Sequence, residues 1–526
     1  MNEDKELPAG WVWTTIGAVA ETTSGGTPSR NHLEYYGGTI PWVKSGELKD
    51  SVITTVEEFI TEEGVKNSSA KIFQQSTALV AMYGATVGRT GILGLDATTN
   101  QAICAIFPLK NAFTSKFITY WLQFQRQTLI DQSMGGAQPN INQDIVRAFP
   151  LPLAPPPEQH RIVAAIEQQF TRLDAGVAAL QRARTKLKRY RAAVLKAAVE
   201  GKLTEAWRAE HPTTEPASML LECILKGRRA KWEADLRAKG KDPAKVRYVE
   251  PAVPDMEGLP ELPEGWRWAT VEQVCERIVD CLHSTPNFKD SGLICIDTNC
   301  IKPGRIIYEK VRYVDEATFI DRNRRMKPQM NDVIFSREGA LLGVAVRVPA
   351  NLEFCLGQRM MVFRLDLGID AKYYESVINS SVFRSQYLSE ITGSASPHLN
   401  IEDIRTFAIP LPSLLEQEVI VTEVERRMSI IDKLEIVILA NLKRTERLRQ
   451  SILREAFAGR LVPQDTDDEP ASVLLERIRS ERGSGERKNG TGASKSNKGR
   501  AVKVPEPGMV DVTGTGQVEL WEGVGG

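Results

Sequence analysis

Apolar residues recur at seven-residue intervals in two long stretches of the chain. The first row consists of Ile166, Leu173, Leu180, Leu187 and Val194, and the second consists of Val424, Ile431, Ile438 and Ile452. Polar Thr445 interrupts the second row, and Arg184 and Arg191 interrupt the neighbouring seam of the first. A seven-residue period sustained over this length is typical of a helix packed in a coiled coil. The pattern therefore predicts two long helices, each preceded by a proline segment (155–157 or 410–412) that suits a helix start.

Two matching helices in one chain can bury their apolar rows against each other. Because a whole domain lies between them in the sequence, the simplest arrangement is an antiparallel pair. A coiled coil formed by several copies of the chain is the competing interpretation. More than forty residues at about 1.5 Å each would give helices of roughly 60–65 Å.

The segments that precede the long helices have a different pattern. Short apolar runs, such as 78–83 and 332–335, are bounded by Gly, Asn, Asp or Pro, which is typical of strands. Gly-rich turns recur at 24–28, 36–39 and 83–91, and short helices are expected at 115–128 and 371–379. We therefore expect two β-rich α/β domains and, for the whole chain, an α+β fold.

The two halves of the chain repeat each other, with the matches in the same order. The segment LPAGWVW at 7–13 returns as LPEGWRW at 262–268, and IVRAFPLP at 145–152 returns as IRTFAIPLP at 404–412. The pair Glu158-Gln159 returns as Glu416-Gln417, VLKAAVEGKL at 194–203 as ILREAFAGRL at 452–461, and EPASMLLE at 215–222 as EPASVLLE at 469–476. A period near 256 residues is too long for a solenoid and indicates a duplicated unit of domain plus helix.

Between these matches, the interiors 24–139 and 279–397 share little beyond their pattern. A common frame with different interiors is expected if each interior recognises something different, although simple drift in a loop-rich domain is the alternative. The repeat and the helices together suggest the following division: a first domain at 1–154, a first long helix at 155–203, a helical extension and linker at 204–257, a second domain at 258–412, a second long helix at 413–461, a repeated helical segment at 462–482, and a tail at 483–526 that is expected to be disordered.

Charge and composition narrow the class of protein. Lys+Arg and Asp+Glu both number 67, so the chain lacks the positive excess of a simple DNA-binding protein. The charge is unevenly spread, since 156–203 contains ten Lys/Arg and four Asp/Glu. We find neither a membrane span nor a signal peptide and expect a cytoplasmic protein.

Motifs of catalytic and metal sites are missing from the sequence. It contains no GK[ST] phosphate loop, and its one Pro-Pro run, 155–157, is followed by Glu158 rather than an aromatic residue. The cysteines at 275, 281, 295 and 300 do not form paired CxxC motifs, so we expect buried reduced thiols and no metal. No catalytic residue and no cofactor are expected in this chain.

Several of these features together resemble the specificity subunit of type I restriction–modification enzymes. They are the LPxGWxW opening, a strand containing Asn100-Gln101, the turn QPNIN at 138–142, the IPLP-then-EQ junction and the VLKAAVEGKL helix end. The resemblance extends to about residue 480, and the order and duplication of the motifs make it specific.

The resemblance implies two target recognition domains joined by two antiparallel coiled-coil helices with approximate two-fold symmetry. Each domain would read one half of a bipartite, asymmetric DNA site and direct adenine methylation and restriction by partner subunits. The implied partners are double-stranded DNA, two modification (methyltransferase) subunits and restriction (translocase and nuclease) subunits. S-adenosylmethionine, ATP and Mg²⁺ would be used by those partners.

Side chains that reach base edges would provide specificity, since arginine can read guanine and asparagine or glutamine can read adenine. In the first half the candidates are Arg30, Lys44, Ser45, Tyr83, Arg89, Gln138 and Asn140. In the second half they are Thr285, Asn287, Thr298, Asn299, Arg337, Arg359 and His398. The alternative function is a duplicated protein–protein scaffold that does not recognise DNA, in which the interiors would differ because their partners differ.

Overall fold

The computed structural model describes residues 7–132, 140–339, 341–388 and 397–488. The chain divides into two compact units, one made of Met1–Ala179 with Asn441–Gly526 and the other of Leu180–Ala440. Each long helix therefore contributes one end to each unit. No helix in the described ranges is long and apolar enough to cross a lipid bilayer.

The first unit begins with strands that fold into two sheets and one strand pair. They are β1 (Val12–Thr15), β2 (Ala20–Ser24), β3 (Tyr36–Val43), β4 (Ser51–Ile53), β5 (Glu58–Ile60), β6 (Ala78–Ala81), β7 (Thr90–Leu93), β8 (Thr98–Thr99), β9 (Ile103–Pro108) and β10 (Pro150–Leu153). The larger sheet has the order β2-β9-β6-β7-β4, the smaller one is β5-β3-β8, and β1 pairs with β10. The helices between them are α1 (Ile16–Val19), α2 (Glu62–Lys66), α3 (Ser115–Phe124), α4 (Arg126–Asp131) and α5 (Gln143–Ala148).

The first long helix and two shorter helices follow. They are α6 (Pro156–Val199), α7 (Glu205–Glu210) and α8 (Ala217–Ala238). The second unit then repeats the plan with β11 (Arg267–Thr270), β12 (Cys275–Asp280), β13 (Leu293–Ile296), β14 (Ile301–Lys302), β15 (Arg305–Ile306), β16 (Arg312–Val314), β17 (Val333–Ser336), β18 (Ala345–Arg347), β19 (Cys355–Leu356), β20 (Met360–Leu365) and β21 (Ala408–Leu411).

The sheets of the second unit correspond to those of the first. The larger sheet has the order β12-β20-β17-β18, the smaller one is β16-β13-β19, and β11 pairs with β21 as β1 pairs with β10. The helices of this part are α9 (Val271–Val274), α10 (Glu316–Asn323), α11 (Ala371–Ile378), α12 (Ser381–Ser385) and α13 (Ile401–Thr406). The second long helix α14 (Leu414–Phe457) and the helix α15 (Ala471–Lys488) complete the described chain.

The predicted antiparallel packing of the long helices is confirmed within each unit. In the second unit Arg184 of α6 lies 3.8 Å from Glu435 of α14, and Arg191 lies 2.5 Å from Asp432. The residue number rises along α6 while its partner's number falls along α14, so the two helices run in opposite directions. The two arginines that interrupt the apolar seam are thus matched by acidic residues on the facing helix.

In the first unit the beginning of α6 and the end of α14 form the corresponding pair. Arg449 forms an ion pair with Asp174, and its guanidinium lies 4.6 Å from the ring centre of Phe170. Phe457, at the end of α14, packs against Phe117 and Trp121 of α3, with ring centres 5.3 and 5.1 Å apart. These aromatic contacts attach the helix pair to the domain that precedes α6.

The apolar heptad rows face inward to different degrees. Ile166, Val194, Val424, Ile431 and Ile438 are buried, whereas Leu173, Leu180, Leu187 and Ile452 are half-buried. Buried Thr445 donates its hydroxyl hydrogen to the carbonyl oxygen of Asn441 at 2.9 Å. The one polar side chain of the second row therefore has its hydrogen bond within its own helix and needs no partner on the facing helix.

The repeated Gly at the end of each long helix has a structural reason. Gly201 and Gly459 have φ angles of +68° and +66°, which glycine adopts readily. The amide of Lys202 donates to the carbonyl of Ala197 at 2.9 Å, the pattern of a Schellman cap, and the second helix ends in the same way. The motif EGKL and its copy AGRL are therefore helix-stop signals.

Some predicted boundaries are wrong. Asn100 and Gln101 lie in the turn between β8 and β9 rather than in a strand, because the chain must cross from the smaller sheet to the larger one there. The helix expected at 115–128 is broken into α3 and α4 at Gln125, and α11 ends one residue earlier than expected. Helix α15 continues to Lys488, into the segment predicted to be disordered; the rest of that tail lies outside the described residues.

Candidate nucleic-acid interface

The repeated tryptophan and glutamate are hydrogen-bonded to each other in both units. The indole N–H of Trp11 donates to Glu158 at 3.0 Å, and that of Trp266 donates to Glu416 at 2.8 Å. Both carboxylates are buried, and burial raises the pKa of Glu158. The opening motif of each unit is thus fastened to the start of its long helix.

The glutamine that follows each of these glutamates fastens the helix to the domain a second time. The side-chain amide of Gln159 donates to the carbonyls of Ala112 and Ala154, both at 2.9 Å. Gln417 accepts from the backbone N–H of Asp370 at 2.8 Å and donates to the carbonyl of Gly368 at 3.3 Å. The repeated Glu-Gln motif therefore has the same structural role in each unit, which is to fasten the long helix to its domain.

The loops at one end of each larger sheet carry seven of the fourteen candidate residues, two in the first unit and five in the second. We call these loops the rim. In the first unit the rim consists of 25–28 after β2, 82–87 after β6, 100–102 before β9, and 140–142. In the second unit it consists of 281–287 after β12, 337–339 and 341–343 after β17, 357–359 before β20, and 397–400.

Equivalent backbone hydrogen bonds within each unit show which rim residues of the two units correspond. The amide of Met82 donates to the carbonyl of Ala102 at 2.7 Å, and in the second unit the amide of Arg337 donates to that of Arg359 at 3.1 Å. The amide of Ile141 donates to Met82 at 2.9 Å, as the amide of Leu399 donates to Arg337 at 3.0 Å. The backbone of the rim is therefore the same in both units, although many of its side chains differ.

Candidate side chains at equivalent rim positions differ chemically. Tyr83 forms a β-bridge with Asn140, and Glu338 forms the equivalent bridge with His398. Tyr83 is 37% exposed, and Asn140 and His398 are also exposed. The structure thus brings two candidates of the first half together, and it places His398 beside an acidic residue that the sequence analysis did not select.

The basic candidates of the first unit are held by carboxylates. Arg30 lies 2.8 Å from Glu58, and its guanidinium stacks over the rings of Tyr36 and Trp42 at 4.3 and 5.2 Å. Lys44 lies 2.9 Å from Glu57 and 3.6 Å from Glu58.

The hydrogen bond with Glu57 raises the pKa of Lys44 and lowers that of Glu57. Arg89 is paired with Asp50 at 2.8 Å, and Ser45 is half-buried at the start of a 3₁₀ turn. Gln138 lies outside the described residues.

The candidates of the second unit differ in accessibility. Arg337 is buried, and its guanidinium donates to the carbonyl of Leu399 at 2.9 Å, so it supports the rim from inside. Arg359 is exposed and has a φ of +69°, a strained backbone conformation for a non-glycine residue. Asn287 and Asn299 are exposed, and Thr298 is half-buried.

A buried arginine holds the longest rim loop of the second unit. Arg322 donates to the carbonyl of Leu356 at 3.0 Å and also to the carbonyl of Ser284. The loop 281–287, which carries the candidates Thr285 and Asn287, is thereby attached to the strand β19 behind it.

Both units of this chain match a known protein family. The family model for the type I restriction modification DNA specificity domain matches residues 8–179 and 264–444. The chain belongs to this family.

The chain is similar to individual relatives over different shares of its length. It is 23% identical to the type I restriction enzyme EcoKI specificity subunit of Escherichia coli strain K12, over 91% of this chain and 96% of that one. It is 30% identical to the MjaIX specificity subunit of Methanocaldococcus jannaschii over 31% of this chain and 38% of that one. A structure from a study of complex assembly and conformational transition of the type I R-M system has the same fold, with a TM-score of 0.53, 19% identity, and coverage of 86% of this chain and 99% of that one.

Sequence reasoning missed one contact that both specificity domains share. The hydroxyl of Thr27 donates to the side-chain oxygen of Gln101, and the hydroxyl of Thr285 donates to that of Gln358 at 3.0 Å. The signal was present, because both threonines precede a proline and both glutamines precede a strand of the larger sheet. Of these four residues, only Thr285 is among the candidates that the sequence provides.

The cysteines of the second specificity domain contact different groups. Cys275 lies 3.6 Å from the hydroxyl of Tyr374, Cys281 accepts from the amide of Met360 at 3.3 Å, and Cys300 donates to the carbonyl of Lys310 at 3.1 Å. All three are free and buried. Burial raises the pKa of Cys275 to about 12 and that of Cys300 to about 11, so these thiols are protonated at neutral pH.

Proposed function

We propose that this chain is the DNA-recognition subunit of a type I restriction–modification complex and that each specificity domain reads one half of a bipartite, asymmetric target. The family of DNA specificity domains to which the chain belongs supports DNA recognition as the function. The observation that carries the two-half assignment is the rim, whose backbone is matched between units while its side chains differ. Two readers with one architecture and different chemistry suit two different half-sites.

The base-reading residues are proposed to be those at equivalent rim positions that differ between the units. Asn140 in the first unit corresponds to His398 in the second, and Ala102 corresponds to Arg359. An asparagine can form two hydrogen bonds with adenine, and an arginine can form two with guanine. Arg30, Lys44 and Arg89 are proposed to contact phosphates, which fix the register of the protein on the duplex.

The chemistry belongs to partner subunits in this proposal. Two modification subunits would bring S-adenosylmethionine and methylate adenine, and restriction subunits would use ATP and Mg²⁺ to translocate and cleave DNA. The neutral total charge of the chain suggests that the isolated subunit binds DNA weakly, because phosphate neutralisation supplies much of the affinity for DNA. The complex would act in the cytoplasm.

A domain exchange tests the proposal. Segment 24–139 is replaced by the corresponding segment of a relative with a different target, and the reciprocal exchange of 279–397 serves as the matched control. We expect each chimera, assembled with its modification subunits, to methylate a sequence in which one half has changed and the other has not. Long-read methylation mapping gives both halves directly. A change in both halves after one exchange would contradict the assignment of one domain to each half-site.

A further inference from the structure

The Thr–Gln pair is an exception to the chemical divergence of the rims, as is the asparagine that follows the last rim bridge, Asn142 in the first unit and Asn400 in the second. The pair occurs at the same place in both units, between the loop that follows the first strand of the larger sheet and the turn that precedes its neighbour. The register confirms this, since Ser24 faces Cys104 in the first unit and Asp280 faces Met361 in the second. The two loops differ in length, yet both contain Thr-Pro beside the glutamine.

The threonine fixes the orientation of the glutamine amide. Because the hydroxyl donates to the side-chain oxygen, the amide nitrogen keeps two hydrogens for another acceptor. Among the described residues, none accepts a hydrogen bond from the side-chain nitrogen of Gln101 or Gln358. Gln101 is exposed and Gln358 is half-buried, so each pair presents an oriented donor at the surface of the rim.

Hydrogen bonds from neighbouring segments hold the loops that carry the pair. In the first unit the carbonyl of Gly26 accepts from the indole of Trp42 at 3.0 Å, and the backbone amide of Gly26 donates to the carbonyl of Thr99 at 2.9 Å. In the second unit Arg322 holds the carbonyl of Ser284, the residue before the threonine. The proline after each threonine is buried. A donor on a fixed loop loses little conformational entropy when it binds a ligand.

We propose that Thr27–Gln101 and Thr285–Gln358 each bind one phosphate of the DNA backbone, at corresponding points of the two half-sites. This inference rests on the proposed function. A residue pair that reads a base must differ between two domains that read different bases, whereas the sugar–phosphate backbone is the same at every base pair. An identical, oriented amide donor at equivalent positions therefore suits the part of DNA that both half-sites share, and side-chain amides are common phosphate ligands.

The test replaces the donor with a charge while keeping the contact to threonine. In Gln101→Glu and Gln358→Glu the new carboxylate can still accept the threonine hydroxyl, so a purely structural pair would tolerate the change. A phosphate ligand would not, since the carboxylate repels the phosphate. Gln74→Glu is the matched control, because Gln74 is exposed at the opposite end of β6, away from the rim.

The assay measures binding of the full chain, assembled with its methyltransferase subunits, to duplexes that carry its mapped target. We expect each rim variant to bind about tenfold more weakly, by the same factor for target and non-target duplexes, with the methylated sequence unchanged. We expect one neutral methylphosphonate in the half-site of the altered unit to restore most of the affinity by removing the repulsion. The control variant should bind like the wild type.

The possible failures point to different errors. Unchanged DNA binding by both glutamate variants would overturn the proposal that the pair binds a phosphate, and the pair would then only connect two loops of the rim. A methylation map with a changed base in the half-site would also overturn it and make the pair a base reader. If the wild-type complex does not bind a specific sequence, the proposed function itself is wrong.

A second variant covers the case in which a glutamate variant does not fold. Gln358→Met removes the donor without adding charge. In the wild type one methylphosphonate should weaken binding, and in Gln358→Met the same methylphosphonate should have no further effect. Equal weakening in both proteins would contradict the proposal.

Discussion

Glu416 and Glu158 occupy the same position in the two copies of the repeated motif, but they have different partners. Glu416 accepts hydrogen bonds from Trp266 at 2.8 Å and from Thr204 and Arg208, both at 2.6 Å. Glu158 accepts from Trp11 at 3.0 Å and from the side-chain amide of Gln464 at 3.1 Å. Replacing each glutamate by glutamine should therefore have unequal effects.

The magnitude follows from the burial of the charged pair. The side chains of Glu416 and Arg208 are 4% and 20% exposed, so Glu416→Gln leaves a largely buried guanidinium without its counter-charge. Breaking such a pair costs about 3–5 kcal/mol. In Glu158→Gln the amide oxygen can still accept from Trp11, and exposed Gln464 can turn towards solvent, so we expect a loss of about 1 kcal/mol or less.

The effect of Glu158→Gln should also depend on pH. Burial raises the pKa of Glu158 above its ordinary value of 4.5, so the folded state binds this proton more tightly than the unfolded state does. The stability that the protonated carboxyl contributes is present below pH 4.5 and is lost as pH rises through the folded-state pKa. Glutamine cannot ionise, so the stability of Glu158→Gln relative to the wild type should be higher at pH 7.5 than at pH 4.5.

Hydrogen–deuterium exchange of the full chain measures both effects locally. In Glu416→Gln the amides of 262–270 should exchange roughly 100- to 4000-fold faster, because each 1.4 kcal/mol of opening free energy corresponds to about tenfold. In Glu158→Gln the amides of 7–15 should change by about fivefold or less. Equal acceleration in the two variants, or a larger one for Glu158→Gln, would refute the argument that the arginine makes the difference.

Three further predictions concern the helices and the rim. Ile438→Asn should destabilise the chain by about 2–3 kcal/mol because Ile438 is 7% exposed, while Ile436→Asn, at 66% exposed, should melt like the wild type. Gly459→Ala should lower the melting temperature, since the φ of Gly459 is +66° and the new Cβ would lie 2.1 Å from Pro8. Gly176 lies in a helix with open space around it, so Gly176→Ala should raise the melting temperature slightly. Arg322→Met should release the loop 281–287 and impair recognition of the second half-site alone, and a methylation map in which the first half-site also relaxes would contradict this.

The antiparallel direction of the two long helices was the simplest prediction from the sequence, and the ion pairs between them in the structure decided it. The sequence alone determined the duplication and the two helices themselves, because these depend on local or repetitive signals. A seven-residue apolar period, a proline at the start and a glycine at the end specify a helix wherever it is placed. The Glu-Gln motif was visible as a repeat, but its role was not, since Trp11 is 147 residues from Glu158. Contacts over such distances leave no pattern in a single sequence.

Only the tertiary structure decided which rim residues are equivalent. The loops before Thr27 and Thr285 differ in length, so position along the chain does not align them, whereas strand register and backbone hydrogen bonds do. The structure also separated the accessible candidate Arg359 from Arg337, whose guanidinium is buried beneath the rim. Both are arginines beside the same sheet, and the sequence treats them alike; their exposure depends on the way strands from distant parts of the chain meet, because a side chain becomes buried only when other segments pack over it.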